Sequence, residues 1–158
     1  PPCPAGVDRI VDADWHSLFD TLVHPLMRLV RAVAPAMIAQ KRGKIVAITS
    51  AAPLKGIANH AAYCSARGAQ NAFVRAAGLE LAAHNVQLNA VAQNYVQNES
   101  YFPAELLATE RFQKHLARNV PLGRAAHGWE SAELALFLAS DKSDFMVGQC
   151  VPFAGGWA

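Results

Sequence analysis

Two short apolar runs, Lys44–Thr49 and Val86–Ala92, flank an alanine-rich stretch from His60 to His84. No other feature constrains the fold as much. Strands that are apolar at consecutive positions are covered on both faces, the pattern of a parallel sheet. Parallel neighbours need a crossover of roughly a dozen residues or more, normally a helix. The spacing predicts that crossover over about 60–84, with the right-handed sense such connections take. A second long helix is expected over about 14–40, where Trp15, Leu18, Phe19, Leu22, Leu26, Leu29, Val30 and Val33 recur at threes and fours. Asp12 or Asp14 is its expected cap, Pro25 or Pro35 should kink it, and Lys41-Arg42-Gly43 should end it with glycine as the C-cap. Further along, the pattern predicts a polar, aromatic loop over 93–103 and a helix over about 103–119. A turn at 121–124, a helix over about 130–140 and a strand over about 149–153 complete it. The expectation is one α/β domain, 1–158, with about three parallel strands and the 44–49 edge left open.

Composition narrows the function classes. The chain is 53% hydrophobic and 16% charged, which argues for a packed core and against disorder. Its net charge is +2 with the basic residues scattered, so no nucleic-acid surface is expected. No unbroken apolar run approaches the ~20 residues of a membrane span, and the Pro1-Pro2-Cys3-Pro4 start lacks the pattern of a signal peptide. Cys3, Cys64 and Cys150 are far apart and odd in number, which reads as free thiols in a reducing, cytoplasmic setting. The six histidines show no paired ligand spacing, so no metal is expected. The chain begins with proline and its first methionine is Met27. A fragment, a processed product and an incompletely recorded protein are all compatible with that.

The chemistry-bearing residues sit around the first strand and the helix after it. Ser50 closes the apolar run, Tyr63 follows it by 13 residues, and Arg67 follows Tyr63 by four. Positions four apart share a helix face, so Arg67 can lie beside the phenol and favour its ionised form. Bringing a phenol from about 10 to near neutrality takes about 4 kcal/mol, within reach of a buried guanidinium with hydrogen bonds. The predicted result is Tyr63 as a general base, with Ser50 holding the substrate oxygen.

Taken together, Gly43-Lys-Ile-Val-Ala-Ile-Thr-Ser50, Tyr63-xxx-Arg67, Pro121-Leu-Gly-Arg124, Leu136-Phe-Leu-Ala-Ser-Asp141 and Gly148-Gln149 leading to Gly155-Gly156-Trp157 resemble the C-terminal half of the short-chain dehydrogenase/reductase superfamily. The resemblance implies a partial Rossmann-like, doubly wound sheet with the first, dinucleotide-binding half absent. Neither GxxxGxG nor GxGxxG occurs here. Ordinary members carry lysine where Arg67 stands and a Pro-Gly pair where Gln93-Asn94-Tyr95-Val96 stands. Many also carry a catalytic asparagine near the position of Thr21-Leu22, and none lies between Trp15 and Pro35. Arg67 and the Gln93–Val96 segment, with Tyr101-Phe-Pro103 and Phe153-Ala-Gly-Gly-Trp157, look like the halohydrin dehalogenases, a cofactor-free branch with a Ser-Tyr-Arg triad.

That resemblance implies a vicinal haloalcohol or an epoxide as substrate. Ser50 would bind the hydroxyl, Tyr63 would remove its proton, and Arg67 would assist Tyr63. Gln93, Asn94, Tyr95 and Val96, with Tyr101 or Phe102, would line a halide pocket. It also implies a homodimer or homotetramer built on the two long helices. Two other readings stay open: a nicotinamide-dependent reductase, and a non-catalytic assembly module of the same fold.

Overall fold

The computed structural model describes residues 4–158, so the reading of Cys3 as a free thiol falls outside it. After a 3-10 turn at Val7–Arg9, helix α1 (Asp12–Leu18) runs through a π turn (Phe19–Val23) into α2 (His24–Gln40). The irregularity expected from proline is thus a widened turn just ahead of Pro25, while Pro35 stays inside α2. A proline brings no N–H to the ladder, and π turns absorb such mismatches. Two terminus predictions need correction. Val11 is the N-cap of α1 and makes no side-chain cap, so Asp12 and Asp14 lie in the first turn, where their charge suits the helix dipole. At the other end Lys41, with φ 50°, takes the left-handed C-cap, and Gly43 is already strand. A Cβ on Gly43 would lie 2.6 Å from Met37 Sδ, so glycine serves close packing there.

Strand β1 (Gly43–Ser50) leads through the single turn α3 (Ala52–Lys55) to α4 (Ala61–Ala82), then to β2 (Val86–Gln93). The helix expected over 103–119 is two helices, α5 (Ala104–Leu107) and α6 (Glu110–Asn119). Thr109 breaks the run by capping α6 with its side chain on Phe112 N–H at 3.3 Å. Helix α7 (Gly128–Ala139) and strand β3 (Cys150–Phe153) follow. The sheet is parallel throughout with order β1-β2-β3. Its register aligns Ser50 with Gln93 and Gln93 with Phe153, so the carboxyl ends of all three strands form one rim.

Central β2 is buried on both faces and carries two buried amides, Gln87 and Asn89, that its apolar appearance hides. Asn89 donates to Met146 O at 2.8 Å and accepts from Gln149 N–H at 2.9 Å, which staples the turn ahead of β3. Val86, Leu88 and Ala90 meet Val74 and Leu81 of α4, Val30 of α2 and Ala47 of β1 in the main core. Burying side chains of this size stabilises by about 1.5–3 kcal/mol each. β1 is an open edge with Ile48 exposed, as expected.

The helical stretch Asp12–Gln40 is long and apolar enough to cross a membrane by length and composition alone, which a count of unbroken apolar runs misses. Arg28 and Arg31 fall in its middle, where a bilayer exacts about 2.5–3.5 kcal/mol per charge. Its inner face packs Leu26, Val30, Ala34, Met37 and Ile38 on the sheet core.

The seating of α4 generates a first prediction. Alanine ordinarily favours a helix over glycine by about 0.8–1 kcal/mol. A Cβ on Gly78 would stand 2.7 Å from Gly148 Cα and 3.1 Å from Leu88 O, backbone on both sides. Overpacking of that kind costs about 1–3 kcal/mol and wins. Gly78→Ala is expected to lower the urea midpoint, and an unchanged or raised midpoint would refute the close approach.

A second prediction concerns acid. Arg124 grips Glu130 with Nη1 and Nη2 at 2.7 and 2.8 Å, and Glu130 Oε2 accepts His127 N–H at 2.8 Å, closing the capping box of α7. The Arg124 hydrogen bonds, with the His127 amide second, hold the Glu130 carboxyl down to about 2. A lowered carboxyl contributes its stability above the ordinary range and loses it as pH falls toward the folded value. The melting temperature of the protein should therefore fall as pH drops from about 4.5 to 2. Glu130→Gln should flatten that part of the curve.

Candidate active site

The rim made by the strand ends opens into a cleft of about 250 Å³. Ser50, Tyr63 and Arg67 line it together with Gln93, Asn94, Tyr95, Val96, Tyr101 and Phe102. Every residue singled out from sequence thus lines one cavity. In open α/β sheets ligands bind in the crevice outside the carboxyl ends of the strands.

On the α4 side, Arg67 Nε–H donates to the Tyr63 hydroxyl oxygen at 3.1 Å, and the guanidinium carbon lies 5.3 Å from the ring centroid. The one-turn spacing thus brings the groups together as predicted. A cation donating to the phenol oxygen stabilises negative charge on it. Ser50 is held from two sides. Its Oγ accepts Ala52 N–H at 3.0 Å, and its carbonyl accepts from Asn71 Nδ2 at 3.2 Å. With one lone pair of Oγ filled by an amide, the Ser50 O–H is the group left to donate to a substrate oxygen.

The opposite wall is made by the segment leaving β2. Tyr95 has φ 52°, a left-handed conformation uncommon outside glycine and costing on the order of 1–3 kcal/mol. Four partners hold it. Tyr95 N–H donates to Asn94 Oδ1 at 2.9 Å, and Ala126 N–H donates to Tyr95 O at 2.9 Å. The Tyr95 hydroxyl meets His115 Nε2 at 3.0 Å, and its ring meets Trp157 edge-on at 5.9 Å. Burial pushes the Tyr95 phenol up, so it stays neutral beside the cleft. Trp157 is itself clamped by Lys55, whose Nζ donates to Trp157 O at 2.7 Å and lies 4.8 Å from the ring centroid.

These contacts revise the expected anion pocket. The Tyr95 amide is engaged by the Asn94 side chain, and the Gln93 side-chain oxygen accepts from Ser131 on α7 at 2.8 Å. Three donors of this segment remain without a partner among the described residues: Gln93 Nε2, Asn94 Nδ2 and Val96 N–H. Tyr101 and Phe102 supply apolar surface, with Phe102 5.3 Å from Tyr95.

Four residues that hold the site were not read from the sequence. Gln70 bonds Arg67 Nη1 at 3.0 Å, Asn71 bonds Ser50, and Lys55 bonds Trp157. His60 lines the cleft with Nδ1 at 3.0 Å from Ala58 O. A usable signal existed for the first two: adjacent amides interrupt an alanine-rich helix three and four residues past Arg67.

Metal and dinucleotide binding can be tested on the same residues. No group of three or more His, Cys, Asp or Glu is arranged to hold a metal among the described residues. A dinucleotide's pyrophosphate needs a glycine-rich turn entering a helix N-terminus. Among the described strands, β1 exits through Ala51-Ala52, β2 through Asn94-Tyr95, and β3 through Gly155-Gly156 with no helix after it. Arg67 is committed to Tyr63 and Gln70. None of the described strand exits is a glycine-rich turn entering a helix, so the described residues alone supply no pyrophosphate cradle.

Comparison with known proteins gives a consistent fold and two kinds of relative. A solved structure described as a dehalogenation enzyme superposes with a TM-score of 0.96 at 39% identity, covering 100% of this chain and 65% of that one. A halohydrin dehalogenase bound to ethyl (2S)-oxiran-2-ylacetate gives 0.95 at 31% identity, over 99% of this chain and 64% of that one. Curated relatives carry oxidoreductase names. An uncharacterized oxidoreductase of Bacillus subtilis, YmfI, is 35% identical over 82% of this chain and 52% of its own length. A 3-oxoacyl-[acyl-carrier-protein] reductase of Pseudomonas aeruginosa is 31% identical over 94% of this chain and 58% of its own. The chain therefore spans between half and three fifths of the length of these curated relatives. A family described as Enoyl-(Acyl carrier protein) reductase matches residues 5–158. With its parallel sheet, strand-end cleft and matched length, the chain belongs to the short-chain dehydrogenase/reductase superfamily.

Proposed function

We propose that this cleft converts vicinal haloalcohols to epoxides without a redox cofactor, and opens epoxides with small anions in reverse. The observation that carries the reading is the Arg67 Nε–H donating to Tyr63 at 3.1 Å, in a cleft whose other wall offers Asn94 Nδ2 and Val96 N–H. A phenol bonded by a guanidinium on one side and unpaired donors on the other suit one reaction class: a proton is taken and an anion leaves. Ser50 O–H donates to the substrate hydroxyl oxygen, and Tyr63 takes that oxygen's proton. The oxygen's electron pair attacks the vicinal carbon, the carbon–halogen bond breaks, and halide departs with the bonding electrons. Epoxide, halide and protonated Tyr63 result, and solvent accepts the proton to reset the site. Donors placed where charge develops are commonly worth ~2.7–4 kcal/mol each to the rate.

The likeness to two dehalogenase structures supports this reading. The named relatives support a second, nicotinamide-dependent carbonyl reduction. The engagement of Arg67 by Tyr63 and Gln70 weighs against it. The proposal includes small-molecule partners and a cytoplasmic protein, supported by the free thiols of Cys64 and Cys150. It also includes a homodimer or homotetramer through α2 and α4, where Leu29, Val33 and Leu79 are exposed.

The test is halide release from a simple vicinal bromohydrin. Tyr63→Phe is expected to reduce it by at least about 10²-fold, since a positioned proton acceptor contributes about 10²–10⁴-fold. A full rate in Tyr63→Phe, or saturable NADPH binding with carbonyl reduction, would replace the dehalogenase reading.

The anion subsite gives a separate prediction. Asn94→Asp keeps an oxygen for Tyr95 N–H but exchanges the free donor for a negative charge. Bromide affinity, followed as product inhibition of halide release, should fall by about tenfold or more, in line with ~1.4 kcal/mol or more of repulsion. Unaltered bromide inhibition would place the anion elsewhere.

A further inference from the structure

We infer that Gln70 is a positioning residue for the Tyr63–Arg67 pair, tying the guanidinium to the Leu22 carbonyl of the π turn. The inference rests on the dehalogenase reading for its kinetic consequence. Arginine has a long side chain with several donor edges, and only one geometry presents Nε–H to a given oxygen. Here a second donor is held: Arg67 Nη1 donates to Gln70 Oε1 at 3.0 Å. Gln70 in turn donates from Nε2 to Leu22 O at 2.6 Å. A carbonyl can only accept, so Leu22 fixes which end of the amide is nitrogen and turns the oxygen toward Arg67. Gln70 is 7% exposed, so water does not compete strongly for either bond.

The acceptor has a structural origin. Leu22 lies in the π turn Phe19–Val23, just ahead of Pro25. Such turns are local irregularities of the helical ladder and often lie at functional sites. The irregularity in the first long helix and the amide in α4 thus form one device, running from Leu22 through Gln70 and Arg67 to Tyr63. The choice of residue also has an electrical meaning. A neutral amide orients the guanidinium without cancelling its charge, whereas a carboxylate would orient it and weaken its pull on the phenol oxygen.

Two variants separate positioning from bulk. Gln70→Leu keeps the size and removes both bonds; Gln70→Glu keeps an acceptor for Arg67 and adds a negative charge. In bromohydrin turnover, Gln70→Leu is expected to lower kcat about tenfold with KM within about twofold, as a misplaced catalytic group does. Gln70→Glu is expected to keep most of kcat at its own optimum, with the pH profile of halide release moved about one unit to the alkaline side. A merely structural role would scale both profiles without moving them. Independently of turnover, the Arg67 Nε–H resonance, assigned by its loss in Arg67→Lys, should be protected from solvent exchange in the wild type. In Gln70→Leu that protection should be lost. A Gln70→Leu protein with wild-type kcat and a protected Arg67 Nε–H would overturn the inference. Absence of halide release from the wild type would overturn the functional reading instead, and the resonance comparison would then decide the positioning role alone.

Discussion

Helix α4 can lie where it does because Gly78 leaves no Cβ between it and the backbone at Gly148 and Leu88. That contact sets the depth at which the helix sits on β2, and the rest of the helix inherits it. Val74 and Leu81 are driven into the core beside Leu88 and Val86, fixing the rotation of α4 about its own axis. The same rotation carries Asn71 to the Ser50 carbonyl and Tyr63 to the cleft. The distance from serine to tyrosine is therefore set by apolar packing several turns away. The polar bonds at the rim refine a placement that burial has already made, since each is worth only about 0.5–1.5 kcal/mol net.

The two walls of the cleft are electrostatically unlike. On the α4 side a cation stands against a phenol, oriented by a neutral amide. On the loop side the Tyr95 phenol is kept neutral by burial, so it adds no charge against an anion. A departing anion would pass from a region of fixed positive charge to one of dipoles. Low-dielectric surroundings lend such dipoles more weight than they would have in water. Phe102, Trp157 and the Tyr95 ring supply those surroundings.

Much of this was legible in the sequence because it depends on period and spacing. The strands at Gly43–Ser50 and Val86–Gln93, the crossover at Ala61–Ala82 and the meeting of Tyr63 with Arg67 follow from apolar runs and from the one-turn rule. The rest was hidden for identifiable reasons. The break at Thr109 depends on a side-chain cap that competes with a helix-favouring run on both sides. The C-cap at Lys41 needs a left-handed lysine, which no local preference suggests, because Gly43 was claimed by a tertiary contact with Met37. Gln70 is a long-range residue: its partner Leu22 stands 48 positions away, and its meaning appears only when the π turn meets α4. The amides within β2 follow the same logic, since Asn89 looks misplaced in an apolar strand until the turn at Met146–Gln149 folds over it.

The backbone at Tyr95 ties the fold to the chemistry. A bulky residue at φ 52° persists only where its surroundings over-determine it, and four partners do so here. Ala126 N–H binds Tyr95 O and Gln97 N–H binds Ala126 O, the ordinary pattern of a parallel bridge, in which Val96 N–H faces away from Ala126. One backbone donor, Val96 N–H, is thereby left without a partner among the described residues at the lining of the cleft. A second donor is freed by the same arrangement, because the Asn94 oxygen that steadies Tyr95 leaves its nitrogen without a partner among the described residues. Both donors belong to residues that line the cleft, where the leaving anion of the proposed reaction would meet them.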